Sequence, residues 1–473
     1  MSGPYWPRAI REQASAIVLA VTGNPATKQP VNQSTNQPVN ESTNPMSYAL
    51  IPDLKYRGLF YQASDEEGLA SHLDAGMRRG YAGFDPTADS LTIGNLVPIL
   101  MLRRFQMAGH APVVIMGGGT GLIGDPSGKE KERDLRTVEE VQANVDAQRP
   151  IFERMLDFDG PNAATIVNNY DWLGELKFVE VLRDIGKHFS VNQMIQRESV
   201  RERLNNRDQG ISFTEFCYMI LQAYDFLWLR RHHDVTIQLG GSDPWGNMVS
   251  GMDLIRRLEP EGKNVSFILT NPLVTKADGG KFGKTETGAV WLTADRTSPY
   301  AFFQFWLNAA DADVENFLKF FTLLPAERVD ELVAIHEAEP HRREAHRVLA
   351  QEATALVHGA DAAAQAEAAG KALFSGDVAG LDLATLEEVF AEVPSSTMSA
   401  DQIAAAPALL DVLVETGLAK SKRESREFLQ NGAVSINGNK APADGALATD
   451  QLLHGSVILI RRGKKAWHVI RRG

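Results

Sequence analysis

A chain of 473 residues exceeds one ordinary domain, and its hydrophobic content of 44% is enough to build real cores. Cys217 is the sole cysteine, which excludes an intramolecular disulfide and a cysteine-based zinc cluster and fits a reducing cytoplasm. No run of eighteen apolar residues occurs, so no membrane-spanning helix is expected, and the net charge of −12 is unevenly spread: over residues 417–473 eleven Lys/Arg face four Asp/Glu. A basic end on an acidic body points to a polyanionic partner for that end alone.

Residues 1–45 read as a disordered leader or a mis-called start, with Met46 as the true start. Gln29–Asn36 recurs almost unchanged as Gln37–Asn44, a low-complexity octapeptide too polar to bury itself. From Tyr48 the pattern alternates between strand and helix. Short apolar strands are expected at 81–85, 112–116, 164–167 and 235–239, with a helix from Ile93 to Met107 stopped by Gly109. This alternation predicts an α/β fold with a doubly wound, parallel, Rossmann-like sheet over 46–297, and ligands at the carboxyl ends of its strands.

After Thr297 the strand signals vanish. An amphipathic helix is expected from Pro340 to His358 before Gly359, within an α-helical domain at 298–374. Residues 375–406 read as linker. A small basic α+β unit follows at 407–473, with a helix ending in Lys422–Arg426, a hairpin at Ile436–Asn439 and a last strand at 456–461.

The most informative single stretch is Ile211–Asp225. Ser212 and Glu215 form a capping-box pattern, which starts a helix that is apolar nearly all round and therefore buried. Tyr218, Gln222 and Asp225 nevertheless share one face of it. Buried polar groups need partners, so that face lines either a protein network or a polar ligand.

Two glycine-rich pattern matches near Gly117–Lys129 fail on context. The dinucleotide pattern of Gly119, Gly121 and Gly124 lacks the long helix that should follow, and the P-loop match is one residue short, with Glu130 where a hydroxyl belongs. Three loops carry more weight. Gly83–Asn95 runs from a strand end into a helix start, where backbone donors favour phosphate. Gly240–Asn247 follows the strand ending at Gln238–Leu239, and Lys281-Phe282-Gly283-Lys284-Thr285 lies in a Gly/Lys-rich loop.

Taken together, these motifs resemble the bacterial tyrosyl-tRNA synthetases of class I, with a terminal unit similar to an S4 RNA-binding domain. Thr92-Ile93-Gly94-Asn95 stands where that family carries a His-Ile-Gly-His signature, and Lys281–Thr285 where it carries Lys-Met-Ser-Lys-Ser. The resemblance implies that Tyr81 and Asp225 bond the phenol of tyrosine, and that Asp125, Tyr218 and Gln222 surround its ammonium, with Gln238 beside them. It implies an ATP site of Gly83, Asp85, Thr92, Gly94, Asn95, Gly241, Asp243, Lys281 and Lys284. Lys129, Arg133, Lys281, Lys284 and Thr285 would surround the leaving pyrophosphate, assisted by Thr87, Thr92 and Asn95. Lys420, Lys422, Arg423 and Arg426 would contact RNA.

The implied reaction is activation of L-tyrosine by ATP, accompanied by Mg2+, to tyrosyl-adenylate, then transfer to the 3′ end of tRNA(Tyr). A cytoplasmic homodimer without membrane partner, protein-bound metal or prosthetic group is implied as well. Three departures bear on rate: Thr92 and Asn95 replace the signature histidines, and Pro244 stands where the family usually has glutamine. They leave open a catalytically impaired RNA-binding paralogue. A tryptophan–tRNA ligase is the remaining alternative, against which the Tyr81/Asp225 pair argues.

Overall fold

A continuous apolar run with β-branched residues makes a strand that can be buried on both faces. Ala111–Met116 is such a run, and every one of its six residues is buried. It lies inside a six-stranded sheet of order β1-β6-β5-β2-β3-β4, formed by β1 (Gln62–Ala63), β2 (Arg79–Phe84), β3 (Ala111–Met116), β4 (Thr165–Asn168), β5 (Val235–Gly241) and β6 (Phe267–Asn271). The computed structural model describes residues 48–125, 135–205, 210–277, 279–280, 282–285, 288–375, 378, 380–391, 393–463 and 466–473. The leader, Lys129, Arg133 and Lys281 lie outside the described residues.

The four expected strands are present, and their pairings are parallel. Two strands escaped the sequence reading: β6, parallel to β5, and the two-residue β1, which pairs antiparallel with β6 and makes the sheet mixed at its edge. From β2 the chain steps to β3 and β4 on one side, then returns to place β5 and β6 on the other. The carboxyl ends of β2 and β5 therefore flank the topological switch point, where open α/β sheets bind ligands.

Helix 213–233 packs beside this point. Ser212 Oγ accepts from the Glu215 N–H at 3.2 Å, as the capping pattern predicts. The other half of the pattern takes a different course. The Glu215 carboxylate receives Arg203 at 3.0 and 2.8 Å in a buried ion pair, because a guanidinium bonds both oxygens at once. The helix ends at Asp234, whose φ of +51° is left-handed.

The expected boundary at 297/298 does not interrupt the packing. One hydrophobic core runs from Leu50 and Leu100 through Phe302, Trp306 and Phe321 to Ala366. Arg104, fully buried in helix 96–107, donates to the Thr322 carbonyl at 2.7 Å, and Arg57 to the Leu324 carbonyl at 2.6 Å. Both also bond the Lys319 carbonyl, Arg57 at 3.0 Å and Arg104 at 3.3 Å, in the last turn of helix 314–321, where helical donors run out.

Three expectations need correction. The helix expected from Pro340 begins at Glu344; a 3-10 turn, Pro340–Arg342, and a left-handed Arg343 precede it. Lys422–Arg426 starts a helix that runs to Gln430, because Ser421 caps it by accepting from the Glu424 N–H. The presumed linker 375–406 contains helix 383–389 and strand β9 (Ser395–Met398), an element of the terminal sheet. The polar Ser-Ser-Thr of β9 hid it, since an edge strand needs few apolar residues.

A short hairpin, β7 (Lys284–Thr285) and β8 (Gly288–Ala289), comes before the helical region. The terminal sheet has the order β11-β10-β12-β13-β9, with β10 (Val434–Ile436), β11 (Asn439–Lys440), β12 (Val457–Arg462) and β13 (Ala466–Arg472). The predicted Asn-Gly turn is present, with Asn437 and Gly438 both at positive φ.

Candidate active site

Glycine and small residues at the carboxyl ends of β2 and β5 leave a cavity of about 320 Å3 between them and helix 213–233. Tyr81, Gly83, Asp85 and Thr87 line it from β2 and the loop beyond, and Gln238 and Gly241 from β5. Tyr218, Gln222 and Asp225 line it from the helix, so its polar face does border a pocket.

The buried acids are held by a connected network. Tyr218 donates to Asp85 Oδ2 at 2.8 Å and Thr120 to Asp85 Oδ1 at 2.7 Å. The Asn169 amide donates to Thr120 Oγ1 at 3.0 Å and to Asp225 Oδ2 at 2.9 Å, and the Trp172 indole donates to Asp225 Oδ1 at 2.7 Å. Trp172 is fixed in turn by stacking on Trp228, with ring centroids 4.0 Å apart. Burial pushes the Asp225 carboxyl up to about 7 despite those two donors, and the charge of Asp85 adds to the rise. Burial also raises Tyr81 and Tyr218, reinforced by the neighbouring Asp225 and Asp85 charges, so both phenols stay neutral.

Among the described residues, three atoms in the same cavity remain without a partner: Tyr81 Oη, Gln222 Oε1 and Gln238 Oε1. Each such buried group costs about 1–3 kcal/mol. Their deficit, together with Asp225, describes a small polar molecule with hydrogen-bonding groups along its length.

The two signature loops meet beside this cavity. The Thr92 hydroxyl donates to Asn95 Oδ1 at 3.0 Å, and the Thr92 N–H reaches the same oxygen at 3.1 Å. Gly283, at φ +77°, packs so closely on Ile93 that a Cβ there would lie 2.6 Å from its side chain. The Ile93 N–H donates to the Val290 carbonyl at 2.9 Å, which ties the Gly283–Val290 loop to the first signature.

Comparison with known proteins decides the family. The family model described as tRNA synthetases class I (W and Y) matches residues 76–375, and a tyrosine–tRNA ligase SYY-like C-terminal domain matches 385–470. A tyrosine–tRNA ligase of Dechloromonas aromatica (strain RCB) is 51% identical over 423 residues, covering 89% of this chain and 98% of the relative. One from Aliivibrio fischeri (strain MJ11) is 49% identical over 426 residues, covering 89% and 98%. The chain belongs to the class I tyrosyl-tRNA synthetases.

Among solved structures, a C-terminally truncated mitochondrial tyrosyl-tRNA synthetase of Aspergillus nidulans matches this synthetase with a TM-score of 0.62 at 28% identity. That match covers 69% of this chain and 94% of the other. The C-terminal family match begins at 385, close to helix 383–389 and well before the expected start at 407.

Of the residues expected at the synthetase site, Tyr81, Gly83, Asp85, Thr87, Asn95, Asp125, Tyr218, Gln222, Asp225, Gln238 and Gly241 line the one cavity. Thr92, Gly94 and Asp243 do not line it; Pro244 does. Lys284 and Thr285 supply the backbone of β7. Lys420, Lys422, Arg423 and Arg426 are exposed at and within helix 422–430, with Lys422 paired to Asp411 at 2.5 Å. Sequence reasoning missed Thr120, Asn169 and Trp172. Asn169 had a signal, since it lies two residues beyond the expected strand 164–167, at its carboxyl end.

Proposed function

We propose that the synthetase binds L-tyrosine with its phenol between Tyr81 and Asp225 and its ammonium among Asp125, Tyr218 and Gln222. The observation that carries this reading is the set of partnerless atoms of Tyr81, Gln222 and Gln238 in one cavity with the buried Asp225. The tyrosine carboxylate attacks the α-phosphate of ATP, which enters as its magnesium complex, and pyrophosphate leaves. The carboxylate is itself the nucleophile, so the protein's share is positioning and charge stabilisation. Gly83, Asp85, Asn95, Gly241 and Asp243 lie along the nucleotide, and Lys129, Arg133, Lys281, Lys284 and Thr285 meet the pyrophosphate as charge develops on it. The tyrosyl group then passes to the 3′ end of tRNA(Tyr), which the exposed cations of helix 422–430 hold electrostatically.

The enzyme acts in the cytoplasm as a homodimer. Its apolar exposed run supports the dimer: Phe178, Val179, Leu182, Val191 and Ile195 are each at least 41% exposed along one segment of the catalytic region. Val179→Asp should shift the sedimenting species to monomer.

A second reading, an RNA-binding paralogue with impaired activation, draws on Thr92, whose hydroxyl is engaged by Asn95, and on Pro244, which has no backbone N–H to offer. Tyrosine-dependent ATP–pyrophosphate exchange, with tryptophan and phenylalanine as controls, separates the two. Exchange with tyrosine alone supports the ligase; tRNA binding without any exchange supports the paralogue.

A further inference from the structure

Away from the proposed tyrosine pocket, three side chains from separate elements of the helical region converge. Asp311 opens the 3-10 turn Asp311–Asp313, His336 sits in the last turn of helix 326–338, and His346 in the first turn of helix 344–358. The short connection 339–343, with Arg343 at φ +50°, folds one helix back on the other and brings the two rings within 5.2 Å, centroid to centroid. One nitrogen from each ring and one Asp311 oxygen lie within 4.8 Å of one another. None of the three lines the pocket around Asp225.

We propose that Asp311, His336 and His346 form a binding site for a divalent transition-metal cation of the zinc class.

The donor set comes first. Two imidazole nitrogens and one carboxylate oxygen suit Zn2+, Co2+ or Ni2+, and leave a position for water; Mg2+ and Ca2+ prefer all-oxygen sites. Hydrogen bonding points the same way. His346 is completely buried, and its Nε2 lies 3.1 Å from the Ala309 carbonyl and 3.2 Å from Asp311 Oδ1. Among the described residues its Nδ1 has no partner, and neither has the buried Nδ1 of His336. Two partnerless ring nitrogens on adjacent imidazoles form a deficit that a bound cation would relieve by taking the deprotonated tautomer of each.

Geometry and charge set the cost. Ligand atoms around a tetrahedral zinc ion lie about 3.3 Å apart, so the cluster must draw in by up to about 1.5 Å. Asp311 is 57% exposed and His336 half-buried, which leaves both free to turn toward the fixed His346. Arg343 opposes a cation, standing 3.4 Å from Asp311 Oδ1. Its guanidinium has other anchors, the Leu307 and Ala309 carbonyls at 2.6 and 3.3 Å, so Asp311 can leave it.

The cation would act as a staple. It would tie the 311–313 turn to both helices, and within that turn Asp313 accepts from the Ala277 N–H at 2.7 Å, on the segment leading into the second signature loop.

The test uses the full-length protein stripped with a chelator and titrated with Co2+, read by visible d–d absorption, and with Zn2+, read by the melting temperature. One Co2+ per chain with a visible band, and a higher melting temperature in Zn2+, are expected. His336→Ala and Asp311→Asn change half-buried or exposed positions and should each lower affinity by more than the 10–100-fold that losing an outer-shell partner costs. No band and no thermal shift in the wild type, or a band that survives in both variants, overturns the site.

Discussion

The proposed tyrosine pocket and the C-terminal unit both depend on charged and polar side chains, but they hold them in opposite ways. In the pocket, Asp225 is buried, bonded by Asn169 and Trp172, and raised to about 7. In the terminal unit, Lys420, Arg423 and Arg426 stand exposed on or beside one helix, and Lys422 shares its charge with Asp411. A buried group in a connected network makes a large contribution that depends on its exact partners. Exposed cations make small ones that add up and are screened by salt. The first arrangement is suited to reading the identity of a small molecule, the second to holding a large polyanion regardless of detail.

Substitutions in the pocket test its side of this contrast most sharply. Asp225→Ala should lose most discrimination against phenylalanine in pyrophosphate exchange. Rejection of phenylalanine by a hydroxyl-bonding site reaches roughly 10⁴–10⁵, a magnitude known from a tyrosyl-tRNA synthetase rather than computed from this geometry. Unchanged selectivity would remove Asp225 from the phenol.

The raised carboxyl gives a stability prediction of definite sign. The Asp225 value in the folded chain lies above its unfolded value of about 3.8. Its protonated form is therefore favoured by folding, and that contribution is complete below about pH 4 and lost as pH rises through about 7. The loss is at most about 4 kcal/mol. Asp225→Asn should flatten this part of the stability–pH profile in urea titrations; an unaltered profile would contradict the burial argument. In the proposed pose a bound tyrosine gives the carboxylate a phenol donor, so binding should release about half a proton per site at pH 7. Calorimetry in buffers of different ionisation enthalpy measures that release, and none would mean that the phenol does not meet Asp225.

Asn169→Ala removes one donor and should raise KM for tyrosine by about 10-fold, from the 1.5–3 kcal/mol typical of a bond to a charge, with less change in kcat. An equal fall in kcat would place Asn169 in the transition state instead. The smallest effects belong to the C-terminal unit. Arg423→Ala or Arg426→Ala should each lower the salt slope of tRNA binding by about one and leave pyrophosphate exchange untouched. A salt-independent loss there would erase the contrast between the two regions.

The same contrast explains what was legible in the sequence. Strand β3 could be read most directly because a buried parallel strand is a continuous apolar run, and the Tyr218/Gln222/Asp225 stripe because polar residues stand out against an apolar helix. Strand β9 could not, since Ser395–Thr397 pair along an edge without an apolar signature. The start of helix 344–358 was misplaced because a left-handed Arg343 has no sequence mark as clear as glycine. Asn169 and Trp172 were hidden for a different reason. They act on Asp225 across 56 and 53 residues of chain, a contact that only the fold creates.

Tyr81 and Asp225 are proposed to hold one phenol between them. A double-mutant cycle of Tyr81→Phe and Asp225→Asn, read as the tyrosine/phenylalanine ratio of kcat/KM in pyrophosphate exchange, tests it most directly. Either substitution should collapse most of the ratio, and the second should then cost little more, because the two side chains bond the same hydroxyl. Independent, additive losses, or a ratio that survives both changes, would contradict the account.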